Sequence, residues 1–326
     1  VTGLVVLVRF TYALRRAVTA LLVASATVTC MVTAAVPAQA TPAPICQAQQ
    51  VNGQTLTNLA TQMSTDIQHA LAGRTGTVAV DVNDPTLGIT CALHTTGHFD
   101  SASVVKATIL AALLHRDEVQ HRSLTAHEKS LAYSMITASN NNSATALWND
   151  VGMTWLQRFL NLAQMNQTVL GLHGYWGLTQ ITAGDETLLL WLLLNPNSVL
   201  TPTDQQYELG LMAKVISAQR FGVPAGTPKG FTVHVKNGWA PLPAGTDPWY
   251  VNSIGAFTNG TVAYTIVVLT HQTRANPQFA YGVKTIENVA VKVHADLNSG
   301  AGPAVPRSTP NATWGIPDEQ PPGPSR

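Results

Sequence analysis

Apolar side chains at Leu56, Leu59, Met63, Ile67 and Leu71 recur at the period of one helix face, and the spacing predicts a helix over 51–71. Two strand-like pieces follow at 77–82 and 88–94, separated by the turn residues Asn83, Asp84 and Pro85. A turn then opens a strongly apolar helix over 103–115. The segment 123–140 has Thr125 three residues before Glu128, the spacing of a capping box, and an apolar face at Leu131, Met135 and Ile136. Short helical patterns at 143–150 and 154–164 lead into a loop over 167–184, after which helices resume at 185–194 and 203–218. The pattern then changes. Residues 231–236, 250–257 and 262–270 alternate or run apolar as strands, with turns over 241–247 and 258–261, and a last helix is predicted over 281–297.

The sheet-forming pieces thus lie at both ends of the pattern, with helices between. Short connections between the last three strands suit an antiparallel meander. Joining the early strands to the late ones predicts one α+β domain over 51–297, with a five-stranded antiparallel sheet flanked by the terminal helices. The middle of the chain forms an all-helical lobe, and a cleft lies between lobe and sheet.

The ends differ in composition. Arg9, Arg15 and Arg16 precede an uncharged apolar run over 17–36, which closes at Ala38-Gln39-Ala40, so residues 1–40 are expected to be a cleaved signal peptide. A retained anchor is the alternative, since twenty such residues can span a bilayer. With cleavage, the protein is expected in a secreted or periplasmic, cell-wall space, without stable membrane insertion. Residues 41–50 form a short N-terminal segment, and the Pro- and Gly-rich tail over 298–326 is expected to be disordered. Beyond the leader stand Cys46 and Cys91, compatible with one disulfide and equally with two thiols.

A net charge of +1 provides no broad basic field, which argues against a nucleic-acid partner. The ten histidines are scattered without metal-ligand spacing, and no phosphate-binding glycine loop is found, so neither metal nor cofactor is expected. The chemistry must come from side chains. Ser103 and Lys106 stand three apart at a helix start and face the same way. Ser139-Asn140-Asn141 closes a helix further on, and Lys236-Asn237-Gly238 closes a strand.

These three short motifs, in this order and context, resemble the Ser-x-x-Lys, Ser-Asp-Asn and Lys-Thr-Gly elements of class A β-lactamases and penicillin-binding proteins. The resemblance covers 51–297. It implies a β-lactamase-like fold and an acyl-enzyme on Ser103, with Lys106 orienting Ser103 and accepting its proton. Ser139 would relay a proton to the leaving group, and Lys236 would act as a fixed cation that also attracts a substrate carboxylate. Asn141 would bond Lys106 or substrate, and Asn237 would bind the substrate. The backbone N–H groups of Ser103 and Trp239 would hold the oxyanion, while Gly238 leaves room along the strand. The implied partner is a small β-lactam or peptidoglycan-derived molecule, and a monomer is expected. Ser101, five residues from Lys106, reads as a turn or cap residue.

Two departures bear on activity. Residues 151–184 contain no Asp or Glu, so the loop lacks the carboxylate that activates deacylating water in class A enzymes. His173 is the loop's one titratable side chain of the right sort to substitute and reads better as a surface or packing histidine; Asp185, the next acid, reads as a helix cap. His234 reads as a histidine bonded under the sheet. Asn140 and Asn237 replace Asp and Thr, and Trp239, Trp249 and Tyr250 suggest an aromatic-lined mouth. A serine hydrolase is therefore set against a non-catalytic or penicillin-binding cell-wall recognition protein of the same fold.

Overall fold

The computed structural model describes residues 43–241, 249–272, 276 and 278–299. The expected leader, and all but the first two residues of the expected tail, lie outside them. The strands are β1 (Cys46–Ala48), β2 (Gln50–Val51), β3 (Gln54–Thr55), β4 (Thr77–Asp84), β5 (Ile89–Leu93), β6 (Phe99–Asp100), β7 (Gln180–Ile181), β8 (Thr232–Pro241), β9 (Trp249–Thr258) and β10 (Ala263–His271). The helices are α1 (Thr57–Leu71), α2 (Val105–Val119), α3 (Ala126–Thr137), α4 (Asn141–Leu162), α5 (Ala183–Leu194), α6 (Pro202–Met212) and α7 (Phe279–Leu297).

The main sheet is antiparallel, in the order β1-β5-β4-β10-β9-β8. Its last five members are the expected strands. The sixth is the three-residue β1 at one edge, where Cys46 sits opposite Cys91 and is disulfide-bonded to it. Helices α1 and α7 cover one face of the sheet. In α7 the buried Val283, Ile286, Val289, Ala290, Val293 and Leu297 form one stripe, as an amphipathic helix requires. The other face meets the helical lobe α2–α6.

Helix α2 runs through the middle of that lobe and is buried continuously from Val105 to Asp117, which explains its strongly apolar run from Ala107 to Leu114. The capping box at Thr125 and Glu128 is present and starts α3. The two helical patterns expected over 143–164 are the halves of α4, joined across Gly152. Its φ of +74° and ψ of 157° suit glycine and kink the helix. Among the described residues no helix is long and apolar enough to cross a membrane.

Candidate active site

Strand register decides what can face the cleft. Alternate residues share a face, and the pairings Gly238↔Asn252 and Ala240↔Tyr250 extend through β9 to Leu269 and His271. Lys236, Gly238, Ala240, Tyr250, Asn252 and His271 therefore lie toward the helical lobe. Asn237 and Trp239 lie toward α7.

Ser103 stands in a single 3-10 turn, Ala102–Val104, that runs straight into α2. Ala102 holds φ at +45°, a region non-glycine residues seldom occupy and one met at functional turns. The turn is fixed from two sides. Ser101 N donates to Thr179 O at 2.8 Å, and Asn252 Nδ2 donates to Asp100 O at 2.8 Å. Ser101, fully buried, is thus the turn residue that the sequence suggests. Gly238 comes so close that a Cβ there would lie 2.6 Å from Ser101 O, 2.7 Å from Ser103 N and 2.8 Å from Val104 N. The glycine is required by the Ser103 turn itself, ahead of any substrate.

Lys106, on the first turn of α2, is fully buried. Its Nζ donates to Ser139 O and Asn141 Oδ1, both at 2.5 Å, and lies 3.2 Å from Ser139 Oγ. Ser139 occupies the bend between α3 and α4 with φ of +56°, and Asn140 caps α4 by accepting from Ser143 N at 2.8 Å. From the opposite wall Lys236 Nζ lies 2.9 Å from Ser139 Oγ and donates to Asn237 O at 2.8 Å. Burial pushes the Lys236 amine down to about 7. Five of the eight expected residues, Lys106, Ser139, Asn141, Lys236 and Gly238, thus converge beside the Ser103 turn.

Two others are placed differently from expectation. The Asn237 amide donates to Gln219 O at 2.7 Å and Phe221 O at 2.9 Å, so its side chain is turned away from the cleft. The Trp239 indole packs with Phe221 (ring centroids 5.4 Å) and Phe279 (5.6 Å), and Trp249 joins Phe279 at 5.7 Å. Register sends these rings under the sheet, so of the expected aromatic mouth only Tyr250 shares the cleft face, stacked on His271 at 4.5 Å.

The acid-free loop contributes the residue that sequence reasoning passed over. Trp176 is buried, its Nε1 donates to Thr145 Oγ1 at 3.0 Å, and its ring centroid lies 4.8 Å from Lys106 Nζ. The sequence shows a tryptophan in this loop but neither its burial nor what it covers. Gln219 was also missed. Its Nε2 donates to Ala138 O at 2.8 Å while its own carbonyl receives Asn237, linking the Ser139 bend to β8. Asn252 had a visible signal, a polar pair, Asn252-Ser253, inside an apolar strand. His173 is exposed. His234 is not under the sheet as expected: it shares the lobe face with Lys236, where Nδ1 donates to Leu209 O of α6 at 2.8 Å and Nε2 accepts from Thr258 Oγ1 at 3.1 Å, with burial lowering its pKa. Asp185 is not the cap of α5. Thr182 is, and the Asp185 carboxylate accepts from Gln167 N at 2.9 Å and Thr168 Oγ1 at 2.7 Å.

A sheet backed by two terminal helices, facing a helical lobe with two lysines and a serine in the cleft, is the architecture of β-lactamase-like proteins. The fold is similar to a class A beta-lactamase from Bacteroides cellulosilyticus DSM 14838 (TM-score 0.63, 17% identity, 73% of this chain and 98% of that one). It is also similar to PBP-A (0.62, 18%, 75% and 97%) and to a beta-lactamase from Sphaerobacter thermophilus DSM 20745 (0.61, 19%, 74% and 98%). Residues 121–297, more than half of the chain, match the model of the beta-lactamase enzyme family, and the chain belongs to that family. The matched span includes Ser139 and Lys236 and begins after Ser103. No curated protein sequence matches the chain.

Proposed function

We propose that this protein is an exported serine hydrolase that forms an acyl-enzyme on Ser103, from a β-lactam or a related amide or ester such as a cell-wall peptide. The reading rests on the shared hydroxyl: Ser139 Oγ lies within reach of two fully buried lysines, 3.2 Å from Lys106 and 2.9 Å from Lys236, beside the Ser103 turn. Desolvated amines next to hydroxyls are what a serine needs to lose its proton. In this reading Ser103 attacks the carbonyl carbon and the N–H groups of Ser103 and Trp239 hold the oxyanion. Ser139 hands a proton to the leaving nitrogen or oxygen, and the lysines hold and move protons. The partner is a small molecule, taken up by a monomer, and the leader over 1–40 directs the protein to the secreted or periplasmic space.

The test is intact-mass measurement after incubation with a penicillin and, separately, an activated ester. An adduct that Ser103→Ala abolishes is the expected result. No adduct with either probe, and a variant indistinguishable from wild type, would refute the reading.

A second reading, a penicillin-binding recognition protein that turns over slowly, is favoured by one observation. Residues 151–184 offer no carboxylate to polarise water, and Trp176 stands against Lys106 in that loop. It expects the adduct to persist, where an efficient hydrolase loses it rapidly.

A further inference from the structure

Two buried lysines share one hydroxyl, and their surroundings treat them differently. Lys106 Nζ has an acceptor for each of three protons: Ser139 O, Asn141 Oδ1 and Ser139 Oγ. The face of Trp176, 4.8 Å away, adds a preference for a cation. Among the described residues Lys236 Nζ has two partners, Ser139 Oγ at 2.9 Å and Asn237 O at 2.8 Å. Two ammonium groups meeting at one oxygen out of water repel strongly, which favours one charge over two on the pair. Ser139 then turns its own proton to the neutral amine.

Among the described residues, the other charged or titratable groups on and around β8 leave this arrangement in place: Tyr250 and His271, farther along the same sheet face, stack on each other, and Asp100 is bonded by the Gln180 amide. Lys106, from α2, is the competing cation. His234, on β8 itself, has both ring nitrogens engaged and is neutral. Arg220, in the segment before β8, donates to Ala213 O at 3.1 Å. Glu208, from α6, is fully buried and raised well above the carboxylate range by burial, so it stays a neutral acid. Burial alone lowers Lys236, to about 7.

Building on the acyl-enzyme reading above, we propose that Lys106 is the fixed cation of the site and that Lys236, through Ser139, receives the proton of Ser103. This exchanges the roles that the motifs imply. As Ser103 Oγ bonds the carbonyl carbon, the carbonyl electron pair moves onto its oxygen. The Ser103 proton passes to Ser139 Oγ while the Ser139 proton passes to Lys236 Nζ. The electron pair then returns and the bond to the leaving nitrogen or oxygen breaks. That atom takes a proton from Ser139, which Lys236 replaces. Ser103 is left as an ester and both lysines regain their resting states.

The experiment has two arms on the full chain. In the first, lysine Nζ resonances are assigned with Lys236→Met and Lys106→Met and titrated without substrate from about pH 5 to about pH 10. Lys236 should change charge near 7 while Lys106 stays charged. The reverse order, or two amines charged throughout, would overturn the proposal. In the second, the acylation rate by a penicillin or an activated ester is followed against pH by intact mass. The wild-type rate should rise through the Lys236 midpoint. Lys236→Arg keeps a charge but accepts no proton near neutrality, so acylation should fall about 100-fold or more. Retained acylation in that variant would make Lys236 a fixed charge and end the proposal, and the first arm decides the matter should arginine not fit. Absence of any adduct overturns the acyl-enzyme reading and the proton transfer with it. A reversed titration beside normal adduct formation overturns this proposal alone.

Discussion

Substituting Gly238 by alanine tests whether β8 positions the Ser103 turn. The new methyl would meet Ser101 O at 2.6 Å, Ser103 N at 2.7 Å and Val104 N at 2.8 Å, all backbone atoms that no rotamer can move aside. Reaching ordinary contact near 3.4 Å requires strand and turn to separate by about 0.6–0.8 Å. Overpacking of this kind costs about 1–3 kcal/mol. On the proposed acyl-enzyme reading, a shift approaching 1 Å between Ser103 and Ser139 or the lysines costs about 100-fold in rate. The assay is the rate of adduct formation by intact mass, with urea unfolding alongside. Gly210→Ala in α6 is the control: nothing lies within 4 Å of the added Cβ, so it should gain up to about 1 kcal/mol from helix propensity and leave the rate alone. A Gly238→Ala protein with wild-type stability and acylation rate would refute the argument.

Replacing both Cys46 and Cys91 by serine should cost about 4 kcal/mol, the chain entropy of the 45-residue closure, read as a lower Tm. Hydrogen bonding to Arg122 holds the Glu128 carboxyl at about 2, below its unfolded value of 4.5. Its contribution is present above pH ~4.5 and lost as pH falls toward 2, so Glu128→Gln should destabilise at neutral pH and converge with wild type in strong acid. Glu186 has the opposite sign. Burial raises it to about 8, and neither oxygen has a partner among the described residues. The unfolded chain ionises first, stability falls as pH rises from ~4.5 to ~8, and Glu186→Gln should flatten that decline in a melting series. Trp176→Ala should cost about 3–5 kcal/mol in an unfolding titration, since it empties a buried indole site and loses the bond to Thr145.

The elements were legible because their periods are strong. The stripe along α7, the alternation in β8 and the capping box at Thr125 each state their structure locally. The three motifs were legible as pieces whose meeting depends on tertiary structure. Side-chain direction was harder to read. Asn237 lies next to Lys236 in sequence, yet the pleat sends it to Gln219 and Phe221 on the other face, and Trp239 goes with it. A strict reading of period two would have separated these residues from the cleft. Strand β1 is too short to show a period, and only its pairing with β5 defines it. Trp176 escaped because its partner, Lys106, is seventy residues away and nothing in the loop's composition names it.

The pairing of β4 with β10 has a consequence for how the molecule comes into being. Thr77 faces His271 and Asn83 faces Thr265, so the first long strand to be made finds its inner neighbour only when nearly the whole described chain exists. Closing so long a loop before any contact rewards it makes assembly slow and cooperative. Until β10 arrives, β4 and β9 each present an open edge, a template for pairing with another chain. A product shortened before residue 263 would lack the strand between them and be drawn toward aggregation rather than partial function.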